Sequence, residues 1–186
     1  NRVEGLKFDG AVFTNITHDH LDYHKSFSNY IKAKKAFFDR LDREAFALLN
    51  SDDKNSAFMV QNSHAAKKSY SMKSISDYRV RIEEKHFEGM QLFINDNEVW
   101  TPLIGEFNAY NLLAVYGVAD LLNISETEIL IALSKLTPVE GRLETIKKDG
   151  VPTAIVDYLL YFPEYFSIRS ASSPACCSST SSSLIH

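Results

Sequence analysis

The apolar positions change rhythm several times along the chain, and each change marks an element. Residues 9 to 16, Asp-Gly-Ala-Val-Phe-Thr-Asn-Ile, form a short β-rich run ending in polar residues, the pattern of a buried parallel strand that enters a loop. Tyr30, Lys34, Phe37 and Leu41 then recur at spacings of four, three and four, which predicts one face of a helix, widened by Ile31 and Phe38. Ala45 to Leu49 predicts a second strand, closed by the polar turn Asn50-Ser51-Asp52-Asp53.

From about Ala57 to Trp100 the runs shorten. Ala57-Phe58-Met59-Val60, Tyr78-Arg79-Val80-Arg81-Ile82 and Met90-Gln91-Leu92-Phe93-Ile94 are separated by polar turns and predict strands, the later ones antiparallel and half exposed. Asp96-Asn97 reads as a hairpin turn. Helical spacing returns after Gly105, with Leu112, Leu113, Val115, Tyr116, Ala119 and Leu122 on a helix from Asn111 to Leu122. Ser125-Glu126-Thr127-Glu128 has the Ser-x-x-Glu order of a capping box and starts a helix running to about Leu136. Val151 to Tyr158 predicts another buried strand.

This alternation predicts an α/β fold: a mostly parallel sheet flanked by helices, with a small antiparallel β insert at about residues 57–100. One domain is expected over residues 1–158. Residues 159–186 break the pattern: nine serines lie between Ser167 and Ser183, neither period survives, and no packed element is expected there.

Composition narrows the function. The 186 residues are 45% hydrophobic and 24% charged, as in an ordinary globular domain. A net charge of -4 argues against a nucleic-acid partner, which needs a basic surface to track phosphates. No apolar stretch approaches the roughly 20 residues of a membrane helix, and the N-terminus lacks signal-peptide regions, so the expectation is a cytoplasmic protein with no membrane contact. Cys176 and Cys177 are adjacent and offer neither a disulfide framework nor a metal spacing.

Candidate chemistry follows the first strand. Thr17-His18-Asp19-His20-Leu21-Asp22-Tyr23-His24 packs three imidazoles and two carboxylates into eight residues. Mixed Asp and His suit Mg²⁺, Mn²⁺ or Zn²⁺; the same residues also suit the capping of a helix start. Lys34 stands on the apolar stripe of the next helix, whereas Lys25, Lys32 and Lys35 lie off it. A partly buried Lys34 amine would have a lowered pKa and could add CO₂ to give a metal-binding carbamate. The alternative is a lysine that snorkels to solvent.

These residues resemble the Mur ligase family, and within it the UDP-N-acetylmuramoyl-tripeptide synthetase group, which adds the third residue of the peptidoglycan stem peptide. The resemblance covers residues 1 to about 158 and begins with Phe13-Thr14-Asn15-Ile16-Thr17 followed by Asp19-His20-Leu21-Asp22-Tyr23-His24. It implies that His20 ligates Mg²⁺ and that Lys34, as a carbamate, supports the same ion. Gly105-Glu106-Phe107-Asn108-Ala109-Tyr110-Asn111 resembles the family's Gly-x-Phe-Asn-x-x-Asn segment, implying that Asn108 and Asn111 lie against the adenine of ATP. Pro138-Val139-Glu140-Gly141-Arg142-Leu143-Glu144 resembles its Pro-Val-x-Gly-Arg-x-Glu, implying that Arg142 reaches the nucleotide; Asp157 falls where the family has a ribose-binding aspartate. The implied reaction joins an amino acid to a UDP-N-acetylmuramoyl-peptide through an acyl phosphate, at the expense of ATP.

Two departures shape the expectation. After Asp157-Tyr158 the chain reads Leu-Leu-Tyr-Phe-Pro where the family has Ala-His-Thr-Pro, which suggests a shifted reading frame from near Leu159. No Gly-x-x-Gly-Lys-Thr-Thr phosphate loop occurs in the sequence, so the chain is expected to carry part of a site and to be inactive in isolation. A folylpolyglutamate- or cyanophycin-type ligase and a non-catalytic fold fragment are the competing readings.

Overall fold

The computed structural model describes residues 5–16 and 27–138, together with the backbone of residues 144–146, 154–156 and 169–170. The chain divides into two units, residues 1–137 and 138–186.

The first unit is built on a six-stranded sheet in the order β1-β2-β3-β4-β5-β6. Strand β1 (Gly10–Phe13) pairs in parallel with β2 (Phe46–Asn50), with Gly10 opposite Phe46 and Phe13 opposite Leu49. Helix α1 (Phe27–Asp39) forms the crossover between them, as a parallel pair requires. It ends where Arg40 and Leu41 donate to the carbonyls of Phe37 and Phe38, the tightened last turn common at helix ends. Strand β3 (Ala66–Ser71) extends the parallel run beside β2.

Strand β4 (Tyr78–His86) changes the sheet's character. It pairs in parallel with β3 only at Tyr70/Tyr78 and Ser71/Arg79, then runs antiparallel to β5 (Gly89–Ile94). Strand β6 (Asn97–Thr101) completes the meander. The hairpin loop is Asn95-Asp96, one residue earlier than expected; both residues have positive φ, 45° and 72°, as a two-residue loop matching strand twist needs. Helix α3 (Glu106–Leu121) and helix α4 (Glu126–Ser134) follow, and α4 carries the expected capping box between Ser125 and Glu128.

The two faces of the sheet have separate cores. Ala47 and Leu49 of β2 join Ala11, Phe13, Phe38 and Met59 on one face. Leu48, pointing the other way, joins Tyr70, Tyr78, Leu92, Leu113 and Leu133 under α3 and α4. Helix α3 comes closest at Gly117, where a methyl group would stand 2.9 Å from Leu48 Cδ2 and 3.1 Å from Tyr78 Cδ2. Tyr78 Oη donates to Asp120 and Tyr116 Oη to Glu126, both at 2.7 Å, tying α3 to β4 and α4 to α3.

Two expectations need correction. Ala57–Val60 is not a strand: Ser56–Met59 forms the one-turn helix α2. Ser56, Met59 and Val60 are buried while Ala57 and Phe58 are exposed, a spacing of three and four that a four-residue apolar run could not disclose. The region 57–100 is accordingly not antiparallel throughout, because β3 within it is parallel and the antiparallel strands span residues 78–101.

In the second unit, β7 (Glu144–Ile146), β8 (Ala154–Val156) and β9 (Arg169–Ser170) form a three-stranded antiparallel sheet. Strand β8 falls within the predicted Val151–Tyr158 strand, and β9 lies in the serine-rich stretch where no element was expected.

Candidate active site

In an open parallel sheet the loops leaving the carboxyl ends of the strands build the site. Here those ends are Phe13, Asn50 and Ser71, and the segments beyond them are bound to one another through the turn after β2. Asn50, only 8% exposed, donates from Nδ2 to the Thr14 carbonyl at 2.8 Å, while its Oδ1 accepts the Asp52 N–H at 3.0 Å. Asp53 accepts the Ile16 N–H at 3.0 Å with one oxygen and the Asn55 N–H at 2.8 Å with the other. The segment Thr14–Ile16, which leads directly into the histidine-rich motif, is thus held at both ends by the β2 turn.

Asp52 binds the other way. Its carboxylate accepts the Ser71 hydroxyl at 2.6 Å, the Met72 N–H at 2.8 Å and the Tyr110 hydroxyl of α3 at 2.8 Å. Burial alone would push this carboxyl up, but the bonds from Ser71, Met72, Tyr110 and Ser74 outweigh it and hold it below the ordinary aspartate value. Burial, and then the hydrogen bond to Asp52, push the Tyr110 phenol well above its usual value. Tyr110 is therefore a neutral donor to an anionic partner at neutral pH.

Of the residues picked out by the sequence, Asn108 and Asn111 come together at the start of α3. Asn108 Nδ2 donates to the Ile104 carbonyl at 2.7 Å, and Asn111 Nδ2 meets Asn108 Oδ1 at 3.5 Å. Asn108 is half-buried and Asn111 exposed, so the pair is open to a ligand. Lys34 lies on α1, but its expected burial is not found: it is exposed, with Nζ 5.2 Å from the centre of the Tyr30 ring. The buried lysine is Lys35, 7% exposed, whose Nζ donates to Asp39 at 2.6 Å. The inward face of α1 runs through Ile31, Lys35 and Phe38, one residue round from the line through Tyr30, Lys34 and Phe37. An exposed amine remains accessible to CO₂, but desolvation is not what would activate it. His20, Arg142 and Asp157 lie outside the described residues.

Among the described residues no group of three or more His, Cys, Asp or Glu side chains could hold a metal ion. An imidazole and a carbamate oxygen are both acceptable donors for Mg²⁺, which usually takes only one or two protein ligands. A cavity of about 360 Å³ is bordered by the 71–75 loop, Arg79, Arg81 and Phe93, and none of Lys34, Asn108 and Asn111 lines it. No helix among the described residues is long and apolar enough to cross a membrane.

The model of the Mur ligase middle domain matches residues 1–119. The chain belongs to the Mur ligase family. The UDP-N-acetylmuramoyl-L-alanyl-D-glutamate--2,6-diaminopimelate ligase of Parabacteroides distasonis is 54% identical over 157 residues, covering 84% of this chain and 32% of that protein. A solved structure of a ligase of the same name superposes with a TM-score of 0.74 at 26% identity, over 84% of this chain and 34% of the other. A MurF ligase from Thermotoga maritima, in complex with ADP, shares the fold at TM-score 0.62 and 19% identity, over 77% of this chain and 34% of that one. The chain spans about a third of the length of the curated Mur ligases it matches.

From the sequence, the turn Asn50–Asp53 reads as a closing turn and no more. Its position after a parallel strand was the available signal, since ligand-binding loops of such sheets sit there. Nothing local pointed to Tyr110, which lies 58 residues away in sequence.

Proposed function

We propose that this chain is the central segment of an ATP-dependent ligase that adds 2,6-diaminopimelate to a UDP-N-acetylmuramoyl dipeptide in the cytoplasm. The observation carrying this reading is the 54% identity to a ligase of that name, over a stretch that includes the Asn108/Asn111 pair at the open end of α3. In the reaction, a substrate carboxylate oxygen attacks the γ-phosphorus of ATP and ADP leaves, giving an acyl phosphate. The diaminopimelate amine then attacks the acyl carbon, phosphate departs with the bonding pair, and the nitrogen loses a proton.

Each chain residue has a distinct part. Asn108 and Asn111 present an amide edge to adenine, and Arg142 offers a planar fork to phosphate oxygens. Asp157 would accept from ribose hydroxyls. His20 and a carbamate on Lys34 would hold Mg²⁺, which supplies charge neutralisation between carboxylate and phosphate. The exposed position of Lys34 supports access of CO₂ to the amine.

The test is a chimera in which this segment replaces the matching 157 residues of the Parabacteroides distasonis ligase. Release of ADP and phosphate that depends on both diaminopimelate and the dipeptide substrate is expected, and Lys34→Ala should abolish it. A folded chimera that does not ligate would overturn the reading, as would full turnover by the Lys34→Ala variant.

A further inference from the structure

We propose that Asp52 is a positioning residue for the nucleotide-binding end of α3, acting through Tyr110. The inference rests on the reading above that Asn108 and Asn111 meet ATP. Five donors converge on the Asp52 carboxylate: the hydroxyls of Ser71, Ser74 and Tyr110, and the N–H groups of Met72 and Lys73. Ser71, itself fully buried, donates to Asp52 while accepting from the Lys73 and Ser74 N–H groups at 2.9 and 2.7 Å. The loop after β3 is therefore wrapped around one carboxylate.

Tyr110 is the member of this set that lies on α3. It stands two residues after Asn108 and immediately before Asn111. In the first turn of the helix Glu106 and Phe107 are exposed, with Glu106 4.0 Å from Lys85, Asn108 is half-buried, and Ala109 is the one residue sunk in the core. The Asn108 amide is already engaged with Ile104, and Asn111 leans on Asn108. Farther along, Leu112, Leu113 and Tyr116 anchor the helix body in the core, but packing of the body does not fix the height of the first turn against the sheet. The bond from Tyr110 to Asp52, at 2.8 Å and charge-assisted, does so. A ligand-binding pair needs placement within roughly 0.5 Å, and such a bond to the turn that closes strand β2 serves it. The same turn holds Thr14–Ile16 through Asn50 and Asp53, so one four-residue turn sets the origin of the metal-binding motif and of the adenine-facing pair.

The test uses the chimeric ligase with Tyr110→Phe, Asp52→Asn and the double substitution. Tyr110→Phe removes one hydroxyl and leaves the 71–74 loop intact. It should raise the KM for ATP by about tenfold, the effect of one charge-assisted hydrogen bond, with kcat and the KM values for diaminopimelate and the dipeptide within about twofold. Asp52→Asn should do at least as much, and the double variant no more than Asp52→Asn alone, because both changes cut one link. An unchanged KM for ATP in Tyr110→Phe, or equal rises for all three substrates, would overturn the proposal. Should Asp52→Asn fail to fold, Tyr110→Phe decides. Amide hydrogen exchange in the same chimera reads the positioning without turnover: Tyr110→Phe should speed exchange at residues 106–111 and leave residues 129–133 unchanged, and no change at 106–111 would sink the link. A parent chimera that folds but does not ligate refutes the functional reading, and the exchange result still judges the link.

Discussion

Asn50→Ala is the sharpest probe of the turn that organises this site. The substitution deletes the donor to the Thr14 carbonyl at 2.8 Å and the acceptor of the Asp52 N–H at 3.0 Å. Each bond contributes about 1 kcal/mol net, and the two stranded backbone groups, partly buried, add about 1 kcal/mol more, so the loss should be about 3 kcal/mol. For a chain of this size that corresponds to a fall in Tm of about 6–12 °C. Asn50→Asp keeps an acceptor for the Asp52 N–H but sets an anionic oxygen against the Thr14 carbonyl, and should be no better tolerated. Asn62→Ala, at an exposed position, serves as the control and should stay within about 0.5 kcal/mol. Thermal unfolding followed by far-ultraviolet circular dichroism measures all three. If Asn50→Ala melts within about 1 °C of the parent, the turn is not holding the Thr14 segment and the argument for the site's geometry fails with it.

Other consequences can be measured in the same way. Ser125→Ala removes the hydroxyl that accepts the Glu128 N–H in the capping box of α4 and should cost about 1 kcal/mol in urea unfolding; a loss below about 0.3 kcal/mol would deny the box a role. Gly89→Ala places a methyl 2.1 Å from the Thr101 carbonyl oxygen, which is backbone and cannot swing away, so a loss near the top of the overpacking range, about 3 kcal/mol, is expected and an unshifted urea midpoint would refute it. Burial would raise the Asp77 carboxyl, but bonds from Lys68 and Ser69 lower it to about 2. A depressed carboxylate stabilises the fold above its unfolded pKa, so that contribution is present above about pH 4 and lost as pH falls toward 2. Asp77→Asn should flatten the fall in stability across that window, and an unaltered slope would show the bonds to be idle.

Much of the architecture was legible because burial and spacing agree. The strands near Gly10 and Phe46, the helix after Phe27 and the box at Ser125 each present the period their environment demands. Strand β3 escapes a sequence reading since Ala66-Lys67-Lys68-Ser69 is polar; Ala66 and Lys67 are exposed and Lys68 half-buried, so the first half of the strand needs no apolar side chains. The exchange of Lys34 for Lys35 as the buried amine has another origin. A line drawn through Tyr30, Phe37 and Leu41 sits one residue off the true inward face, and an ion pair with Asp39 makes burial of Lys35 acceptable. Asn108 and Asn111 stood out only through the family resemblance, and the partnership of Asp52 with Tyr110 is tertiary and left no local trace.

The two cores described above are also ordered along the chain. One is made entirely of residues between Ala11 and Ala65, the other almost entirely of residues between Tyr70 and Leu133, and Leu48 is the exception that crosses. As synthesis proceeds from the N-terminus, the first core has all its parts once Ala65 has emerged. The opposite face of the same strands stays bare, Leu48 and then Tyr70 included, until the ribosome has gone on to Leu121 and delivered α3. The layer bearing Asn108 and Asn111 is therefore the later of the two to close, and until it does the nascent sheet offers an apolar surface to any chaperone or neighbouring chain.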